Sequence, residues 1–198
     1  MQNSTTKVRA LTGTAMLGAV AAVLMYLEFP IPIMPAFVKL DVSELPALIA
    51  SFAYGPVSGV LVCLIKNLIK LPSTSTAAVG ELFNFVMGAL FVGVAGIVYK
   101  RNKTRKGAIV GALLGALVMA VVSVPYNYFI VYPAYVVMYH LPLEAIIGMY
   151  QAINPSVDGL LTCLLVFNLP FTFVKGVLDA LLCFLIYKPL SPILHGRK

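Results

Sequence analysis

Lys175 and Asp179 lie four residues apart within the apolar run 170–187, so on a helix they share one face. Ionisable groups in such surroundings are costly to keep, and two uses justify them: contact with a ligand or ion, or an ion pair that satisfies itself. Lys66 sits in a second apolar run, with a stem long enough to carry its ammonium out past the helix end. Asn127, Glu81, Asn84 and Thr172 add amides, a carboxyl and a hydroxyl within or beside other apolar stretches. Each is able to serve as a helix-packing hydrogen bond, but together they offer the mixed donor and acceptor set that a polar heterocycle needs. Ten tyrosines and eleven phenylalanines, several of them in "PYNYFIVYPAYVVMY", are suited to wall a pocket for a flat aromatic ligand or to form an interfacial belt.

The elements that must position these groups are membrane helices. The chain has 198 residues, 61% of them hydrophobic and 11% charged, with a mean hydropathy of +0.97, against about 45–50% apolar and about 25% charged in soluble domains. The runs 10–27, 79–99, 108–124 and 170–187 each approach the roughly 20 residues that cross the hydrocarbon as a helix, and no alternating strand pattern recurs. Lys7 and Arg9 precede the first run in the manner of a signal peptide, but the run ends in "YLEFPIP" without a small-residue cleavage site, so it is expected to stay as the first helix. Cys63, Cys163 and Cys183 all fall in apolar segments without metal-type spacing and are expected to pack as thiols.

Charge decides the topology. Ten of the fourteen basic residues fall in three clusters: Lys7 and Arg9; Lys100, Arg101, Lys103, Arg105 and Lys106; Lys188, Arg197 and Lys198. The positive-inside rule therefore places all three in the cytoplasm, with no need for nucleic acid to explain the net charge of +7. The clusters share a side only if residues 44–71 go in and back out as two short helices, about 44–54 and 56–71, divided at Gly55-Pro56, or equivalently as a re-entrant pair. An all-α, polytopic chain results, forming one integral membrane domain with six membrane segments and both termini cytoplasmic. Glu28, Asp41, Glu44, Glu81, Glu144 and Asp158 fall on the external side or the outer membrane edge. An amphipathic "LEAIIGMYQAI" there suits the interface. Pro125 is expected to break helix five just before Asn127, and Pro170 to open the last helix before Thr172 and Lys175. Broken helices beside polar groups point to a transporter site.

Small residues make a second pattern. Gly107, Gly111 and Gly115 recur on helix five, where internal packing is expected; Ala15 and Ala19 recur on helix one, whose surface the short helices leave free for a partner. The sequence has no P-loop, so no ATPase of its own. His140 and His195 fall on opposite sides, which rules out a metal cluster or Ser/His dyad between them, and "GPVSG" at 55–59 lacks the histidine of a serine protease.

The long block "LEFPIPIMPAFVKLDVSELPALIASFAYGPVSGVLVCLIKNLIKL", then "STAAVGELFNFVMG", "PYNYF" and "LPFTFVKG", resembles the RibU family, the riboflavin-binding S components of energy-coupling factor (ECF) transporters. The resemblance covers nearly the whole chain. It implies a six-helix subunit of a prokaryotic plasma membrane, neither an enzyme nor in need of a cofactor, that captures riboflavin from outside under the loop after helix one. Uptake is then driven by a transmembrane coupling subunit and two cytosolic ATPases. Asn127 and Lys175 match the family's flavin contacts, and Leu40, Gly80 and Glu81 are placed by segment. Ala15 and Ala19 match its docking face. Where some relatives carry "LPFN" this chain has Thr172, so that flavin hydrogen bond is made by a hydroxyl, through water, or not at all. The stretch "LPSTSTAAVGELFNF" is then expected to bring a polar turn and Glu81 to the mouth of the site, with Asn84 packing nearby. Thiamine, biotin or folate are the competing vitamins, and an intramembrane enzyme the competing class.

Overall fold

The computed structural model describes residues 2–140 and 142–195. Arg197 and Lys198 of the third basic cluster, and the side chain of Lys188, lie outside the described residues. Helix α1 (Gln2–Tyr26) is followed by a strap, residues 27–43, that carries a two-residue ladder pairing β1 (Phe29–Pro30) antiparallel with β2 (Lys39–Leu40). The chain then forms α2 (Glu44–Tyr54) and α3 (Pro56–Lys70), the division anticipated at Gly55-Pro56. Gly55 makes that turn possible: its φ of 110° is a conformation side chains resist, and proline follows at the first helical position, where no amide is needed.

Helices α4 (Val79–Arg101) and α5 (Arg105–Tyr126) form a close antiparallel pair. A Cβ on Gly115 would fall 2.4 Å from the Phe91 carbonyl oxygen, so α5 meets α4 at a distance only glycine permits. Among the described residues, five helical stretches are long and apolar enough to cross a membrane: 6–26, 56–73, 79–101, 105–138 and 160–187. The sixth segment, α2, has eleven residues, nine of them buried, and is enclosed by the others.

Both prolines expected to interrupt helices do otherwise. Helix α5 runs through Pro125 into a π turn (Asn127–Val131) and on as α6 (Tyr132–Tyr139). Beyond the surface helix α7 (Leu143–Gln151), the last span begins ten residues before Pro170, as α8 (Leu160–Cys163), a second π turn (Leu164–Asn168) and α9 (Leu169–His195). Each π turn ends just before an X-Pro pair, Tyr132-Pro133 and Leu169-Pro170. A proline ring collides with the carbonyl four residues back, here Phe129 and Val166, and both lie inside the widened turns that accommodate them. The helix therefore bulges without stopping.

Candidate binding site

One cavity, of about 190 Å³, lies between the strap, the first turns of α2 and α4, and the two π turns. Asn127 opens the first π turn and Asn168 closes the second, and both are buried in the cavity wall. The two π turns thus present two side-chain amides to the cavity.

Charge forms the floor. Lys175 Nζ lies 2.9 Å from Asp41 Oδ2 and 3.0 Å from Glu44 Oε2, while Lys66 Nζ donates to Glu44 Oε1 at 2.7 Å and to the Ser43 hydroxyl. Ser43 in turn donates its amide (2.8 Å) and its hydroxyl to Asp41 Oδ1. Two carboxylates and two ammoniums are thereby matched, which is what burial demands. Burial alone would raise the Asp41 carboxyl, but the Lys175 and Lys66 cations, with the Ser43 hydrogen bonds, hold it well below the usual carboxylate range. An ion pair of Lys175 with Asp179, the alternative to ligand contact, is not formed: Asp179 is buried one turn further along α9 and neither of its oxygens has a hydrogen-bond partner among the described residues. Nor does Lys66 reach the surface. It is fully buried, because Glu44 meets it inside.

The mouth is ordered by the polar turn. Thr74 and Thr76 both donate to Glu81 Oε2, at 2.7 and 2.9 Å, and Thr76 Oγ1 accepts the Gly80 amide at 3.0 Å. A Cβ on Gly80 would stand 2.6 Å from that hydroxyl, so glycine lets the turn close on the helix. Ala77 and Ala78 hold φ of 47° and 71°, a strained pair that the threonine bonds keep in place. On the strap side Glu28 takes Lys39 at 2.8 Å and Lys70 at 3.0 Å; burial pushes its carboxyl up, and these two hydrogen-bonded cations bring it below its ordinary value.

An aromatic wall completes the enclosure. Phe37 of the strap meets Tyr132, Tyr135 and Tyr150 edge-on at 6.2–6.5 Å between centroids. Tyr150 donates to Asn168 Oδ1 at 2.7 Å and shares a hydrogen bond with the Tyr132 hydroxyl. Asn127 donates one amide hydrogen to the Ser123 carbonyl at 2.8 Å, and Asn67 donates to Asn84 Oδ1 at 3.2 Å.

Of the residues singled out from sequence, Gly80, Glu81, Asn127, Thr172 and Lys175 come together on this cavity, as does Asn84. Leu40 does not: Lys39 and Asp41 face the cavity and Leu40 between them points elsewhere, as alternation in extended chain requires. Asp41, Glu44 and Asn168 were not singled out as site residues. The acids at 41 and 44 sit three residues apart at the start of an apolar helix, a detectable signal, whereas Asn168 reaches the wall through a π turn no motif announces. Ala15 and Ala19 are exposed on α1, while Gly18 and Ala22 of the same helix are buried. Among the described residues no group of three or more histidine, cysteine or acidic side chains could hold a metal ion.

A helical membrane protein with an enclosed, mixed polar and aromatic cavity is a small-molecule binding component. The chain belongs to the family of ECF transporter substrate-specific components, whose profile matches residues 9–187, and is thus a transport component rather than an enzyme. It is 34% identical to the riboflavin transporter FmnP of Bacillus subtilis (strain 168) over 195 residues, covering 97% of each chain. It is 32% identical to the riboflavin transporter RibU of Staphylococcus aureus (strain TCH60), covering 91% of this chain and 89% of that one. The solved S component of a bacterial ECF transporter superimposes with a TM-score of 0.73 at 31% identity, covering 98% of this chain and 99% of that one.

Proposed function

We propose that this chain captures riboflavin from outside the cell as a single membrane domain and delivers it inward as part of an ECF transporter. The observation that carries the reading is the convergence of Asn127, Thr172, Lys175 and Glu81, from three separate spans, on one cavity with an aromatic wall. Isoalloxazine offers a flat ring for that wall and carbonyl and imide groups for the amides, and its ribityl chain offers hydroxyls for the charged floor. An ammonium has three protons; Lys175 donates one to Asp41 and its charge faces Glu44 at 3.0 Å, which leaves donor capacity for the ligand. Leu40 acts behind the strap and not by contact. The relatives' names support the same substrate.

Lys7 and Arg9 begin α1 at the same end of the bundle as the 100–106 cluster: Arg9 acts electrostatically on Tyr54, which shares a hollow with Lys100 and Lys103. This favours cytoplasmic termini in a prokaryotic plasma membrane. Exposed Ala15 and Ala19 suit docking of a transmembrane coupling subunit served by two cytosolic ATPases. Titration of the purified protein against riboflavin, thiamine, biotin and folate tests the substrate. Quenching of flavin fluorescence at one site per chain is expected, and tighter binding of another vitamin would overturn the assignment.

A further inference from the structure

A second cavity, of about 300 Å³, lies at the other end of the bundle, between the end of α2, the Gly55-Pro56 turn, the start of α3 and the loop after α4. Helix α4 sets the separation: Met87 lines the first cavity and Gly96 the second, about 14 Å apart at 1.5 Å per residue. The first cavity carries four carboxylates from the strap and helix starts, Glu28, Asp41, Glu44 and Glu81, alongside its lysines, but the second is lined by Lys100 and Lys103 and by no acid.

We propose that this second cavity binds the phosphate-bearing headgroup of an anionic phospholipid. Its polar chemistry is unbalanced in one direction. The Ser51 hydroxyl is already donated to the Val92 carbonyl at 2.7 Å, so recognition falls to the two ammoniums. Arg9 adds positive field from α1. The cavity is a built feature: a Cβ on Gly96 would lie 2.1 Å from Ser51 Oγ and 3.0 Å from Pro56 Cα, so glycine lets α4 close against the turn as a floor. Depth and wall identify the source of the phosphate. The apolar span of α4 ends at Lys100, where headgroups begin, and Phe52 and Val57 (71% exposed) line the same hollow and offer apolar contact that inorganic phosphate has no use for. A basic pocket between helices at the cytoplasmic face is the expected form of such a site.

The test is native mass spectrometry of the chain released from micelles containing phosphatidylglycerol, phosphatidylcholine or millimolar inorganic phosphate. Wild type should retain one phosphatidylglycerol. Each lysine near an anionic headgroup is worth about fivefold in affinity, so Lys100→Gln with Lys103→Gln should weaken retention roughly 25-fold. Val57→Trp, which fills the hollow and keeps every charge, should abolish it. Arg105→Gln with Lys106→Gln, which removes equal charge outside the cavity, should retain the lipid. Helicity and monodisperse elution check the fold of each variant, and Lys100→Arg with Lys103→Arg should preserve binding if the glutamine pair fails to fold. Equal loss in the Arg105/Lys106 variant, equal retention of phosphatidylcholine, retention in Val57→Trp, or saturable binding of inorganic phosphate through Lys100 and Lys103 would each overturn the proposal.

Discussion

Replacing Lys175 by methionine keeps most of the side-chain volume and removes the charge. In the structure this leaves Asp41 and Glu44, whose side chains are 6% and 3% exposed, with Lys66 alone to balance them. Removing one partner of a buried ion pair costs about 3–5 kcal/mol, because the abandoned charge stays buried. Methionine fills much of the lysine's space, so little of that is a cavity cost. Adding Asp41→Asn discharges the abandoned carboxylate and keeps an oxygen to accept from Ser43, so the double variant should regain roughly 2 kcal/mol or more as a coupling energy. Adding Asp179→Asn to Lys175→Met should regain far less. Equilibrium unfolding in mixed micelles, followed by circular dichroism, measures all three. If the Asp179 double recovers as much as the Asp41 double, the charge of Lys175 is spent along its own helix and the floor is wrongly assigned. Riboflavin titration of the recovered Lys175/Asp41 double then isolates the ligand contact: affinity should remain about 5- to 150-fold weak, the range for one lost buried hydrogen bond.

Asn127→Ala removes an amide from the cavity wall and should weaken riboflavin binding by a similar factor, read by fluorescence quenching, while the melting temperature falls little. Ala15→Leu with Ala19→Leu fills an exposed face of α1 and should leave binding intact while abolishing ATP-dependent uptake in reconstituted vesicles; lost binding would place those alanines inside the subunit. The Asp41 carboxyl is depressed in the folded state, so its contribution is complete above its unfolded value near 4 and is lost as pH falls further. Wild type should therefore lose stability on acidification below about pH 4, and Asp41→Asn should show a shallower loss in micelle unfolding.

Local signals are legible in this sequence and long-range ones are not. The division of α2 from α3 was legible because Gly55 and Pro56 act on their own neighbours, and the Gly111–Gly115 face because helix packing repeats every four residues. The partner of Lys175 was not legible. On its own helix Asp179 is the natural choice by spacing, yet Asp41 lies 134 residues away and reaches Lys175 only because the strap folds over the bundle. The prolines misled for a related reason. Pro125 and Pro170 each remove one amide, but whether the helix stops or widens depends on neighbours that satisfy the freed carbonyls, which is a tertiary matter. Five of the six candidate site residues still meet on one cavity, because polar groups within apolar runs have few other places to go.

The brevity of α2 has a consequence for leakage. Glu44 lines the first cavity and Tyr54 the second, and they are the two ends of the same eleven-residue helix, about 15 Å apart. Hollows therefore enter the protein from both faces, and the insulation between them along α2 is a septum built around Ala47, Leu48, Ile49 and Ala50, each 2% exposed or less. This slab is about half as thick as the roughly 30 Å hydrocarbon core of a bilayer. Its seal depends on packing density more than on length, so a single small or polar residue at Leu48 would compromise membrane tightness before it compromised the fold.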